Sequence, residues 1–188
     1  MLADMTDDDD SIWDAIRKNV RPVNAYWAWR DKPIGEQNAA RDILSAAAFS
    51  VERLSSCEDA NLPPDCEAIV DGLDAGIEVT ELVNEKRLKR SLEGKIKPFN
   101  WHDRKFSEAL QNIIDEKSGG GPRWQGGPYD RRLLIIHADE PDLSSDIISR
   151  FLDGRRFTTA FFSDVVLGLS YEPATQTCPS FRLSLDPL

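Results

Sequence analysis

The run from Arg132 to Ala138 constrains the fold of this 188-residue chain more than any other segment. Its centre, Leu133 to Ile136, is a continuous Leu-Leu-Ile-Ile sequence, so a strand here would be apolar on both faces. Such a strand is typical of the middle of a sheet whose two faces are both covered. The run therefore predicts an α/β fold.

Helical and strand-like patterns alternate around this run. Glu36 to Ser56 and Trp101 to Lys117 carry apolar residues at helical spacing. Two strand-like runs, Cys66 to Val70 and Ile77 to Val83, flank a link rich in Gly and Asp, which is typical of a hairpin. A further helix over 144–152 and strands over 165–170 and 181–185 complete the list. We expect a mixed β-sheet flanked by helices.

The N-terminal region differs in composition from the rest of the chain. Six aspartates fall within the first fourteen residues, and an aromatic-rich segment follows over residues 11–30. We predict an acidic leader and aromatic-rich extension over residues 1–35 and a single α/β domain over residues 36–188, since 188 residues fit one domain on a prior of about 150. The aromatic residues would pack on the core or form a homodimer surface.

The best candidate for a membrane helix, Ile43 to Val51, falls far short of the roughly 20 apolar residues required. We therefore expect a cytoplasmic protein with no membrane partner. The three cysteines are odd in number and widely spaced, which predicts reduced, mostly buried thiols rather than a disulfide framework or a zinc site. They are Cys57, Cys66 and Cys178.

One segment is strongly basic although the formal net charge of the chain is −10. Residues 86–105 contain eight Lys and Arg against two acidic residues, a local balance of +6. Two interpretations remain open: the solvated face of an amphipathic helix, or a surface that contacts nucleic-acid phosphates. The second would use Lys86, Arg87, Lys89 and Arg90.

Two features are set aside as sites. The glycine-rich segment from Gly119 to Gly127 lacks the spacing of a phosphate-binding P-loop, which predicts a flexible loop. The chain has only two histidines, so few bases exist for a nucleophilic triad, and His137 at the end of the buried strand is predicted to be a structural hydrogen-bonding residue.

The carboxylates of Asp65 and Glu78 are the main candidates for chemistry. Asp65 heads one predicted strand and Glu78 lies inside the next, so an antiparallel hairpin would bring both to one edge of the sheet. A hard divalent cation such as magnesium takes one or two such carboxylates together with water and phosphate oxygens. The alternative is an ordinary half-exposed strand whose polar face, including Glu78 and Thr80, meets water.

The sequence Pro64-Asp65, then Glu78-Val79-Thr80 in a hydrophobic strand, then a helix and a strongly apolar strand, resembles the PD-(D/E)XK nuclease superfamily. The resemblance spans about residues 37–138. It implies a restriction-endonuclease-like core and phosphodiester hydrolysis assisted by magnesium or manganese. Asp65 and Glu78 would then be catalytic metal ligands, and Glu52, expected on the preceding helix, would match the glutamate that some members carry there.

The sequence departs from the family pattern in two ways. Thr80 occupies the position of the family's lysine, so Lys117 or Lys86 would have to replace it as a catalytic residue. The strand expected before Asp65 is missing, because residues 55–64 are predicted to be a loop. Two functions stay open: a divalent-metal-dependent nuclease, or a catalytically inactive member that acts as a protein-interaction or nucleic-acid-binding module.

Overall fold

A computed structural model of the chain describes residues 32–59, 61–83, 101–119, 124–140, 143–170 and 178–187. The predictions for the acidic leader, the aromatic segment and residues 86–90 fall outside the described residues. The elements are α1 (Lys32–Ala46), β1 (Val51–Ser56), β2 (Cys66–Val70), β3 (Leu73–Glu81), α2 (Asp103–Ser118), β4 (Arg131–Ala138), α3 (Ser145–Leu152), β5 (Phe157–Thr159), β6 (Asp164–Leu169), β7 (Ser180–Arg182) and β8 (Leu185–Pro187).

Six of the strands form one mixed sheet in the order β1-β2-β3-β4-β6-β7. The first three strands are antiparallel neighbours, β4 and β6 continue parallel to β3, and β7 is antiparallel to β6. Helix α2 lies in the connection from β3 to β4, and α3 lies in the connection from β4 to β6. The predicted α/β class with a mixed sheet is confirmed.

Strand β4 lies in the interior of the sheet and is covered on both faces. Leu133 and Ile135 belong to a hydrophobic cluster with α1, whereas Leu134 and Ile136 belong to a second cluster with α2 and α3. All four side chains are fully buried. Successive residues of a strand point to opposite faces, so the apolar run supplies both clusters at once. The predicted central strand is confirmed.

The predicted hairpin is also confirmed, with a shorter turn. Strands β2 and β3 are joined by Asp71 and Gly72 alone, with φ of 51° and 82°. Two-residue hairpin turns with positive φ favour Asp-Gly because Asp tolerates this conformation and Gly adopts it freely. The side chain of Asp71 stabilises the turn further, since its Oδ1 accepts a hydrogen bond of 2.9 Å from Ser50 N.

The predicted helix from Glu36 to Ser56 is wrong in its second half. Helix α1 ends at Ala46, and Ala48 takes a left-handed φ of 61° while Phe49 N donates to Leu44 O at 3.0 Å. This is the hydrogen bond of a Schellman helix end, in which glycine usually occupies the left-handed position. The chain then turns back and forms β1, the strand before Asp65 that was missing from the sequence prediction.

Among the remaining elements, β5 was not predicted, β6 agrees with the strand predicted over 165–170, and the C-terminal strands differ from the prediction. Helix α2 is confirmed, as is α3, whose N-cap Ser144 accepts from Ile147 N at 3.4 Å. The predicted strand over 181–185 is instead divided between β7 and β8, and β8 pairs with β5 in a separate two-stranded sheet. None of the described helices is both long and apolar enough to span a membrane.

Candidate active site

Asp65 lies directly before β2 and opposite the middle of β3. The register pairs Cys66 with Ile77, which places Asp65 beside Glu78 on the neighbouring strand. Asp65 Oδ2 accepts a hydrogen bond of 2.7 Å from the backbone amide of Val79, and Asp65 O accepts one of 2.9 Å from Cys57 N. The hairpin therefore brings the two predicted carboxylates together.

Glu78 projects from β3 toward the layer that contains α2, and its side chain is only 9% exposed. Its Oε1 accepts a hydrogen bond of 2.7 Å from Lys117 Nζ, and its Oε2 has no hydrogen-bond partner within the described ranges. A buried carboxylate oxygen without a partner is energetically costly. One oxygen of Glu78 is thus compensated by the lysine, and the other remains available to a hydrogen-bond donor or a cation.

Burial raises the pKa of Asp65 from its ordinary 3.8 to about 7, and repulsion from Glu78 acts in the same direction. The hydrogen bond from Val79 opposes this shift, and the charge of Lys32 opposes it less strongly. Two carboxylates at close range in a partly dry site resist ionising together. A cation placed between them would remove this cost.

Helix α1 adds two charged residues that the sequence analysis did not select. Glu36 is 1% exposed, and its Oε1 lies 3.1 Å from Lys32 Nζ. The charge of Glu36 contributes to the raised pKa of Asp65. Glu36 is in line with the buried positions Ala40 and Ile43 of the same helix. A glutamate at i, with apolar residues at i+4 and i+7, was the available signal for a buried charge facing the sheet.

The structure contradicts the expected helical position of Glu52. This residue lies on the edge strand β1, is exposed, and pairs with Ile69 near the end of β2 farthest from Asp65. The helix that packs beside Asp65 is α1, and the glutamate it places there is Glu36. The prediction failed because the helix was extended through β1.

Thr80 follows Glu78 on the same face of β3 and is half-buried. Of the two lysines predicted to replace the missing motif lysine, Lys117 contacts Glu78 from the last turn of α2, with 31% of its side chain exposed. Lys86 lies outside the described residues. The lysine that accompanies the two carboxylates is therefore supplied by a helix and not by the strand.

Across the described ranges, no group of three or more His, Cys, Asp or Glu side chains is arranged to hold a metal ion. A metal at this site would therefore draw its protein ligands from the pair formed by Asp65 and Glu78. Magnesium commonly binds through one or two carboxylates, with water and substrate phosphate completing its shell. Glu78 Oε2, which has no hydrogen-bond partner in the part of the chain that the structure describes, would be free to bind such an ion, and an ion would relieve the repulsion that helps to raise the pKa of Asp65.

The features set aside from the sequence have structural contacts. His137 is buried, its Nε2 lies 3.1 Å from Ser170 Oγ, and burial lowers its pKa.

The three cysteines are free, as predicted, but only Cys66 is fully buried. Burial raises the pKa of the Cys57 thiol to about 12, with the nearby Glu67 carboxylate acting in the same direction, so this thiol stays protonated.

Comparisons of the chain with protein-family models, with curated proteins and with solved structures found no significant match.

Proposed function

We propose that this chain is a divalent-metal-dependent nuclease with a restriction-endonuclease-like core, which hydrolyses phosphodiester bonds with magnesium or manganese. The observation that carries the proposal is the contact between Lys117 Nζ and Glu78 Oε1, 2.7 Å apart, beside the carboxylate of Asp65. Two carboxylates and one lysine are the groups that the sequence motif calls for. The lysine would come from α2 and would replace the motif lysine, whose position is occupied by Thr80.

The order of elements supports the same proposal. The segment from α1 to β4 runs helix, three antiparallel strands, helix, and a strand parallel to the third. This order is compatible with the core that the resemblance implies, and β1 supplies the strand that the sequence prediction lacked. In this proposal Glu36 on α1, rather than Glu52, would take the place of the helix glutamate that some members carry.

A divalent cation suits the chemistry of the site. Asp65 and Glu78 would hold it, since Glu78 Oε2 has no hydrogen-bond partner within the described ranges and the charge of Glu78 helps to raise the pKa of Asp65. When bound, such an ion polarises a phosphoryl oxygen and acidifies a bound water. The remaining ligands would come from water and from the substrate.

The residues of the chain itself have separate roles in this proposal. The amide of Val79 fixes the orientation of Asp65, so that the aspartate reaches the site in one conformation. Lys117 holds Glu78 through a hydrogen bond from its ammonium group, and because it is partly exposed it can also orient the attacking water and compensate negative charge on the phosphate. Asp65 and Lys117 are therefore assigned to catalysis rather than to folding alone.

Calorimetry with manganese and magnesium, combined with cleavage assays on DNA and RNA oligonucleotides, tests the proposal. We expect wild type to bind metal and cleave, Glu78→Gln to lose both, and Lys117→Met to bind metal without cleaving. Glu52→Gln is the matched control, because it removes an exposed carboxylate from the sheet edge. Absence of metal binding in wild type would overturn the proposal, and metal or oligonucleotide binding without cleavage would favour an inactive binding module.

A further inference from the structure

We propose that Gln125 is a positioning residue for Asp65, an assignment that rests on the proposed role of Asp65 as a metal ligand. Gln125 belongs to the connection between α2 and β4, in the second half of the glycine-rich segment. Asp65 ends the connection between β1 and β2, the Asp65 loop, of which the structure describes residues 57–59 and 61–65. The two connections are far apart in sequence and meet at the site.

Gln125 contacts the Asp65 loop at four residues. Its Nε2 donates to Asp59 O at 2.8 Å and to Leu62 O at 2.7 Å, and lies 3.5 Å from Pro64 O. Its backbone amide donates to Pro63 O at 2.6 Å. Its Oε1 accepts from Asp59 N at 3.4 Å. A single side chain and its own amide thus bind the loop up to the residue that precedes Asp65.

Gln125 is itself held in place by its neighbours. The hydroxyl of Tyr129 donates to Glu67 Oε1 on β2 and lies 2.9 Å from Gln125 O. Gly126 has φ of 69°, and a Cβ added there would overlap Glu67 Oε1 and Tyr129 Oη. Glycine is therefore required next to Gln125 for two reasons, backbone conformation and space. This part of the glycine-rich segment is tethered to β2, in contrast to the predicted flexible loop.

The tether matters because, among the described residues, few hydrogen bonds hold Asp65 directly. Within the described residues its carboxylate is held by the amide of Val79, and its carbonyl by the amide of Cys57. Without the side chain of Gln125, the Asp65 loop would stay anchored at β1 and β2 but would sample more conformations between them. The carboxylate would then leave Val79 more often. Groups that orient metal ligands from outside typically change metal affinity by about 10- to 100-fold when they are replaced.

The test compares Gln125→Met with Gln111→Met in the full chain. Methionine keeps the length and approximate volume of glutamine and removes its amide. Gln111 is a matched control because it makes the same type of contacts elsewhere, with Nε2 donating to Thr158 O at 2.9 Å and Oε1 accepting from Thr158 N at 3.0 Å. Two quantities are measured well below the melting temperature: the manganese dissociation constant, and amide hydrogen exchange at Val79 in metal-free protein.

In Gln125→Met we expect the amide hydrogen of Val79 to exchange about fivefold faster, which is the factor that corresponds to one ordinary hydrogen bond. We also expect manganese binding to weaken about tenfold. Gln111→Met should change neither. If wild type binds no manganese but Val79 still exchanges faster in Gln125→Met, the metal proposal fails and the positioning of Asp65 stands. Unchanged exchange and affinity in Gln125→Met, or equal changes in both variants, would overturn the inference.

Discussion

Lys117 Nζ lies 2.7 Å from Glu78 Oε1, although 39 residues separate the two in the chain. The contact exists because α2 lies against the face of β3 that presents Glu78, and its last turn comes level with that residue. A lysine two positions after Glu78 on the strand would reach the same face, but Thr80 stands there. The fold therefore supplies from a helix what the strand lacks.

This contact leads to a prediction about stability. Lys117→Met leaves the buried carboxylate of Glu78 without its cation, which should lower the free energy of unfolding at neutral pH by about 1–3 kcal/mol. The double variant Glu78→Gln with Lys117→Met should recover part of that loss, because neither partner is then left charged and buried. Urea unfolding of the four proteins measures the coupling.

The exposed pair of Arg104 and Glu108 on the same helix is the control for this cycle. Its atoms are 3.5 Å apart and both side chains are mostly exposed, so its coupling should be close to zero. Equal coupling energies for the two pairs would mean that Glu78 is solvated rather than buried.

A second prediction concerns pH. The pKa of Asp65 is raised to about 7 in the folded protein, chiefly by burial, so the folded state binds a proton that the unfolded state has already released. Stability of the metal-free protein should therefore fall as the pH rises from about 4 to about 7, and this contribution should then level off. Asp65→Asn should reduce that slope, and its amide oxygen can still accept from Val79. Part of the slope should remain, because burial also raises the pKa of Glu81 to about 7.

Thermal unfolding between pH 4 and pH 8, with and without manganese, measures this effect. Added metal should stabilise wild type more at pH 8 than at pH 5, because the metal competes with the proton for the carboxylate. The exposed Asp130→Asn variant is the control and should retain the wild-type slope. A wild-type curve that does not change slope between pH 4 and pH 7 would contradict the assignment.

Much of the fold could be predicted because its strongest signals are local. The run from Leu133 to Ile136 fixes a strand covered on both faces, and Asp71-Gly72 fixes the hairpin. The boundary between α1 and β1 could not be predicted, because Ala48, just after the helix end at Ala46, takes the left-handed conformation that glycine normally signals. Strand β1 acquires its structure by pairing with β2, a tertiary interaction that local propensity does not record.

The candidate site divides in the same way. Asp65 and Glu78 could be proposed as neighbours from spacing alone, since a hairpin determines which residues face each other. Lys117 could be named only as one of two substitutes, because helix-to-strand packing decides which lysine reaches Glu78. Glu36 was missed because glutamates near a helix start usually face solvent. Gln125 was missed because its contacts are to backbone atoms of a distant loop, which leave no sequence pattern.

A third prediction tests the packing of α1 on the sheet. A Cβ at Gly168 on β6 would overlap the side chain of Ile43, so Gly168→Ala should destabilise the fold by about 1–3 kcal/mol. Ile43→Val removes a methyl group at the contact, and the double variant should be less destabilised than the sum of the single changes. Gly154→Ala is a poor control because its φ is 65°, whereas Gly119→Ala meets ordinary space at a helical φ of −65°. Strictly additive effects of Gly168 and Ile43 would contradict the close contact.

The last prediction concerns the two charges that α1 brings to the site. Glu36 and Lys32 are paired at 3.1 Å and act on the pKa of Asp65 in opposite directions. Removing the negative charge with Glu36→Gln should weaken manganese binding by about tenfold. Removing the positive charge with Lys32→Met should strengthen it, because a cation that competes with the metal is lost. Calorimetry on folded variants measures both effects, with Lys105→Met, an exposed lysine on α2, as the control. If the pair acts in folding alone, the two variants should shift the manganese affinity in the same direction or not at all. Changes of opposite sign would mean that the charges of α1 act on the proposed metal site.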